Sequence, residues 1–199
     1  MFIIECKNFY EYCHEGDVLY LSGHECVVQR NCSEFVLRDK PFDIWSDDEV
    51  LEVYIEVDEK VLKLMEKFLF LKVFESTLEN DDIVYTFRDG EFMSWDSVKP
   101  LHTCTLVSPS IRLLEDDEIV EVGVENKKFF VKGKNFCETF PVIYVGVSQK
   151  VFVKLKYLKD FFNENPKILM KLHIKEDCPL YIECYDRTRL YIAPVMEEV

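Results

Sequence analysis

Lys156-Tyr-Leu-Lys-Asp-Phe-Phe162, followed by Asp177-Cys-Pro-Leu-Tyr-Ile-Glu183 and Tyr191-Ile-Ala-Pro-Val-Met-Glu-Glu198, is the part of the chain whose reading decides the fold. Tyr157, Leu158, Phe161 and Phe162 recur at helical spacing, with Lys156 and Lys159 three apart on the opposite side. The residues from Val142 to Leu155 read as strand running directly into this helix, and Pro166 forbids its continuation. Strands follow, the last of them ending at Ile192.

Working outward, the first half of the chain follows the same order. Asp17 to Asn31 alternates apolar and polar residues around a polar turn, with Cys32 just after it, and Glu118 to Asn135 does the same, with Cys137 just after it. Val50 to Val57 reads as a strand entering a helix over Asp58 to Phe68, with Asp58 as N-cap, which parallels the strand and helix around Lys156. Glu79-Asn-Asp-Asp-Ile-Val84 reads as a helix exit mirroring Glu164-Asn-Pro-Lys-Ile-Leu169, and a short hairpin through Arg88-Asp-Gly90 closes the first half. The expected fold is α+β, two strand-rich halves of antiparallel sheet with one main helix each. The expected organisation is a unit over 1–90, a connector over 91–100 and a second unit over 101–199.

In the first helix Val61, Leu62, Leu64, Met65, Phe68 and Leu69 form an apolar stripe, and Lys60, Lys63 and Lys67 stand together on the other side. Two readings stand: an ordinary solvated face paired with Glu59 and Glu66, or a face that meets phosphates.

The 199 residues can bury a real core without staples, and 48% hydrophobic content makes the chain globular. No run of apolar residues is long enough for a membrane span and Met1-Phe-Ile-Ile-Glu5 is too short for a signal peptide, so an intracellular location, cytoplasm or nucleus, is expected. The formal charge of −14 argues against a surface that is basic throughout, but not against basic helices inside an acidic shell. The eight cysteines contain no Cys-x-x-Cys and sit mostly among apolar residues, so they read as reduced thiols. His24, Cys26 and Cys32 approach metal-ligand spacing but lack a partner pair. Gly-rich phosphate loops, Gly-x-Ser-x-Gly and His-Glu-x-x-His are absent, so no enzyme, cofactor or metal is expected.

The three stretches quoted first resemble the end of a DNA sliding clamp of the proliferating cell nuclear antigen family: Tyr-Leu and Phe-Phe on a short helix, a Pro-Leu strand, and Tyr-x-Ala-Pro before an acidic tail. The resemblance implies duplicated clamp-like domains of the processivity fold, assembled as a homotrimeric ring around double-stranded DNA. It implies contact with the DNA backbone by Lys60, Lys63 and Lys156; Lys67 and Lys159 on the same helix faces and Arg112 on the reduced segment of the second half are expected to join them. It implies a pocket for peptides of DNA polymerase and other clients, floored by Pro179, Leu180, Tyr191, Ile192, Ala193 and Pro194 and rimmed by Phe92, Met93, Trp95 and Val98 of the connector. From the residues alone, Phe92 and Trp95 could equally close the core of the first half. The chain is shorter than the family pattern, because Lys7 to Gly16 and Ser108 to Asp116 each leave room for no more than about two helical turns where a full helix is expected. That shortening keeps an alternative open, a clamp-derived regulatory or checkpoint-type subunit that binds a clamp or polymerase without encircling DNA.

Overall fold

The computed structural model describes residues 1–33, 36–48, 50–93, 102–112, 119–146 and 149–195. It divides into two compact units, one made of Met1–Asn31 and Asp39–Ser94, the other of Cys32–Arg38 and Trp95–Val199.

The first unit runs β1 (Phe2–Glu5), α1 (Cys6–Tyr10), β2 (Val18–Ser22), β3 (Glu25–Ser33), β4 (Val36–Asp43), β5 (Trp45–Ser46), β6 (Glu52–Glu56), α2 (Glu59–Lys67), β7 (Phe70–Val73), β8 (Thr77–Asn80) and β9 (Ile83–Thr86). The second runs β10 (His102–Val107), β11 (Ile119–Glu125), β12 (Lys128–Lys132), β13 (Cys137–Pro141), β14 (Tyr144–Val145), β15 (Lys150–Lys154), α3 (Leu155–Glu164), β16 (Leu169–His173), β17 (Leu180–Cys184) and β18 (Arg189–Ile192).

The duplication is visible in the strand order. One run of strands in the first unit is ordered β5-β1-β7-β8-β9, and its counterpart in the second is β14-β10-β16-β17-β18. The other run is ordered β4-β3-β2-β6 in the first unit and β13-β12-β11-β15 in the second. Each main helix follows the matching strand, α2 after β6 and α3 after β15. The start of β4 belongs to the second unit, where Val36 joins the core and Leu37 packs with Tyr181 and Tyr191.

Alternation of side chains builds each core. In β2 and β6, Leu19, Leu21, Val53 and Ile55 point inward and meet Val61 and Met65 of α2, with Phe2, Ile4, Leu71 and Val73 from the other sheet. In the second unit Val120, Val122, Phe129, Val131, Val151 and Val153 meet Leu155, Leu158, Phe161 and Phe162 of α3, with Leu172, Leu180, Ile182 and Ile192 beyond. The β11–β12 turn places Asn126 and Lys127 at φ 50° and 60°, the left-handed pair that a two-residue hairpin needs.

Three expectations are corrected. Glu79–Val84 is the end of β8, a turn at Asp81 and Asp82 and the start of β9, and α2 has already ended at Lys67. Arg88-Asp-Gly90 is not a hairpin: Glu56 donates its N–H to Arg88 O (2.9 Å) and Gly90 donates to Tyr54 O (3.4 Å), so the segment runs beside β6. Leu69 does not continue the apolar stripe, because the helical register stops two residues earlier and leaves it 75% exposed.

Candidate nucleic-acid and partner surfaces

Asp58 organises the lysine-bearing face of the first unit. Its Oδ1 accepts the N–H groups of Lys60 (2.9 Å) and Val61 (2.8 Å), which satisfies two of the open donors at the start of α2. Its Oδ2 accepts the hydroxyl of Tyr85 on β9 at 2.7 Å. Burial pushes the Asp58 carboxyl up, but the bonds from Val61, Tyr85 and Lys60 outweigh it and hold its pKa below the ordinary value. The same bond, with burial, pushes the Tyr85 hydroxyl up.

The three lysines of α2 are exposed and lie within an arc of about 60° at 3.6 residues per turn. Lys60 Nζ lies 5.8 Å from the centre of the Tyr85 ring, and Lys67 Nζ 5.2 Å from that of Phe68. Lys63 pairs with Glu59 at 2.6 Å, an i,i+4 contact with both side chains about 70% exposed, and each partner stabilises the charge of the other. Glu66 is exposed beside this arc. α1 packs against α2 and adds the exposed Lys7, but it is only five residues long.

On α3, Lys156 is exposed and Lys159 half-buried, with the exposed Asp160 and Asn163 on the same side. Among the described residues, 108–112 hold no helix. Arg112 is exposed in that stretch, where its backbone N–H donates to Glu138 of β13 at 3.2 Å, while Ile111 beside it is buried in the core. The structure therefore brings Lys60, Lys63 and Lys67 together on one helix and Lys156 and Lys159 on another, and puts Arg112 on a loop.

Charge is unevenly divided between the units. The first carries 8 Lys plus Arg against 21 Asp plus Glu, the second 16 against 17. The lysines of α2 are thus a local exception in a strongly acidic unit, and those of α3 sit in a nearly neutral one.

The residues implied for a peptide pocket fall into two groups. Pro179, Ala193 and Pro194 are half-buried, whereas Leu180 and Ile192 are fully enclosed in the core of the second unit and face each other across β17 and β18. Tyr191 is 4% exposed and stacks on Tyr181 at 4.8 Å. Phe92 packs on Tyr20 of the first unit at 4.7 Å, and Met93 is 49% exposed. Trp95 and Val98 lie outside the described residues.

Sequence reasoning missed Arg38. Its guanidinium pairs with Glu164 at the end of α3 (2.6 Å) and lies 5.4 Å from the centre of the Phe161 ring, tying the start of β4 to that helix. No local pattern marks an arginine on a strand as the partner of a helix end more than a hundred residues away.

Burial pushes the thiols of Cys6, Cys13 and Cys104 up to about 12, and that of Cys26 well above its ordinary value. Such thiols stay protonated and are poor metal ligands or nucleophiles. Among the described residues no three His, Cys, Asp or Glu side chains converge, and no helix is long and apolar enough to cross a membrane.

No protein-family model matches the chain, and no curated protein matches it. Solved structures do. DNA polymerase III, beta subunit, from Thermotoga maritima superposes with a TM-score of 0.69 at 13% identity over 98% of this chain and 65% of its own. The DNA polymerase III subunit beta from Pseudomonas aeruginosa gives 0.69 at 11% over the same shares. The DNA polymerase sliding clamp from Bacillus subtilis gives 0.64 at 12% over 98% and 64%. This chain therefore has the sliding-clamp fold, as duplicated clamp-like α+β units, and spans slightly under two thirds of the length of the clamps it matches.

Proposed function

We propose that this chain is a sliding-clamp subunit that encircles duplex DNA and tethers a polymerase and other replication or repair proteins to it. The observation that carries the reading is the clamp fold over nearly the whole chain, with lysines gathered on α2 and α3. It is a binding protein rather than an enzyme, and it works inside the cell as a ring of identical subunits, with three as the expected number.

The charge distribution fits retention by enclosure better than retention by affinity. Phosphate contacts by lysine are sequence-independent, which suits sliding, and are steeply weakened by salt. With 21 acidic residues in the first unit, long-range repulsion opposes open-ended binding, so Lys60, Lys63 and Lys67 act only at close range. By the resemblance, peptides of client proteins would meet Pro179, Ala193 and Pro194 and the connector residues Phe92, Met93 and Trp95. The test is retention on closed circular DNA against the same DNA linearised, after the protein has been loaded. Loss on linearisation supports enclosure, and equal retention on both forms contradicts it.

The five-residue α1 and the helix-free stretch at 108–112 favour a second reading, a clamp-derived subunit that binds a clamp or polymerase without encircling DNA. In that case no form of DNA retains the protein, and it remains monomeric at concentrations where a clamp has closed.

A further inference from the structure

The chain that leaves β9 does not depart from the first unit at once. Arg88 to Gly90 runs beside β6 through the two backbone bonds described above. Gly90 suits this close approach: a Cβ would stand 2.6 Å from Val18 Cγ1 and 3.2 Å from the Glu56 nitrogen, so the Val18 side chain would have to shift. Phe92 then lies on Tyr20, which stacks on Tyr54 at 4.9 Å, and both tyrosine hydroxyls donate to Glu52, at 3.0 and 3.1 Å.

Met93 follows, and a side chain takes the place of a neighbouring strand. Met93 donates its N–H to Gln29 Oε1 at 2.8 Å, and Gln29 Nε2 donates to Met93 O at 2.9 Å and to Asp39 Oδ1 at 3.1 Å. Gln29 is 3% exposed and Asp39 4%. The amide can point only this way, since a flip would set its oxygen against the Asp39 carboxylate and the Met93 carbonyl.

We propose that Gln29 is the positioning residue of the connector: its carboxamide, oriented by Asp39, fixes Phe92 and Met93 on the first unit and so prearranges the wall of the partner-peptide site. The role in the peptide site rests on the reading given under the proposed function. The fixing of the connector does not.

The experiment follows amide exchange at Met93 in the full-length chain, for the wild type, Gln29→Leu and Gln29→Glu. Losing two bonds to the backbone should speed Met93 exchange about tenfold or more in Gln29→Leu, with the amides of β2 unchanged. Gln29→Glu keeps the acceptor but turns the donor into a second carboxylate oxygen facing Asp39. Its Met93 exchange should be fast at pH 8, relative to wild type at the same pH, and should return toward wild type in acid, where the introduced carboxyl is protonated and donates again. This pH-dependent rescue separates positioning from general destabilisation and serves even if the leucine variant folds poorly. Met93 exchange within twofold of wild type in either variant at pH 8, or acceleration in Gln29→Glu that ignores pH, overturns the proposal. A synthetic peptide carrying the clamp-recruitment motif, titrated into the same samples, tests the reading beneath it. Binding weakened about tenfold in Gln29→Glu at pH 8 supports both. Failure of the wild type to bind removes the peptide-site role, while the exchange result still decides the role of Gln29 in fixing the connector.

Discussion

Replacing Asp58 with alanine removes three hydrogen bonds by deleting one carboxylate. Loss of an N-cap costs about 1 kcal/mol, and a hydrogen bond from a hydroxyl to a carboxylate is worth about 1.5 kcal/mol at a half-exposed site, so Asp58→Ala should cost about 2–3 kcal/mol. In urea titration of the full chain this moves the midpoint down by about 1 M. Asp58→Asn retains a capping oxygen and should lose roughly half as much. Tyr85→Phe should cost about 1.5 kcal/mol in the wild type and almost nothing on an Asp58→Ala background, since the bond is then already gone. The pH dependence has a definite sign. The folded carboxyl titrates below its ordinary value of 3.8, so its stabilisation is fully present above that pH and is lost as pH falls through the folded value. The gap between wild type and Asp58→Ala should be constant from pH 7 to pH 5 and narrow below about 3.8. A loss under about 0.5 kcal/mol, or a gap unchanged down to pH 2, would refute the role given to Asp58.

Reversing Lys60 and Lys63 together to glutamate should leave the urea midpoint nearly unchanged, because the ion pair it breaks, Glu59–Lys63, and the contact of Lys60 with the Tyr85 ring are both made by exposed lysines. The same change should weaken DNA association and reduce its logarithmic salt dependence by about 2, and an unaltered salt slope would remove these residues from the DNA surface. Thiol titration of the native protein should modify the exposed Cys32 and Cys137 rapidly and leave Cys6, Cys13, Cys26 and Cys104 protected until denaturant is added, and rapid native labelling of all eight would contradict the core described above.

The halves were legible because each signal was local. The alternation in β2, β3, β11 and β12, the cap at Asp58, and the Tyr-Leu and Phe-Phe pattern of α3 all lie within a few residues of the structure they specify. The sliding-clamp fold was legible in the C-terminal motifs, although those resemble the proliferating cell nuclear antigen family and the solved structures reported above include DNA polymerase III beta subunits at 11–13% identity. Gly90 misled because glycine signals a turn when its backbone freedom matters, whereas here its missing side chain matters, for close approach to Val18. Asp81 and Asp82 misled because two acids suit a helix exit and a tight turn between short strands equally well. Arg38 with Glu164, and Gln29 with Met93, join residues far apart in sequence, and neither partner carries a mark of the other.

The central claim is a ring of identical subunits, and mass in solution by light scattering across a range of concentrations tests it most directly. With a 23.7 kDa subunit, a closed ring of three predicts a species of three times that mass, 71.1 kDa, that persists on dilution. A particle that stays at 23.7 kDa at the highest concentration reached would contradict the ring.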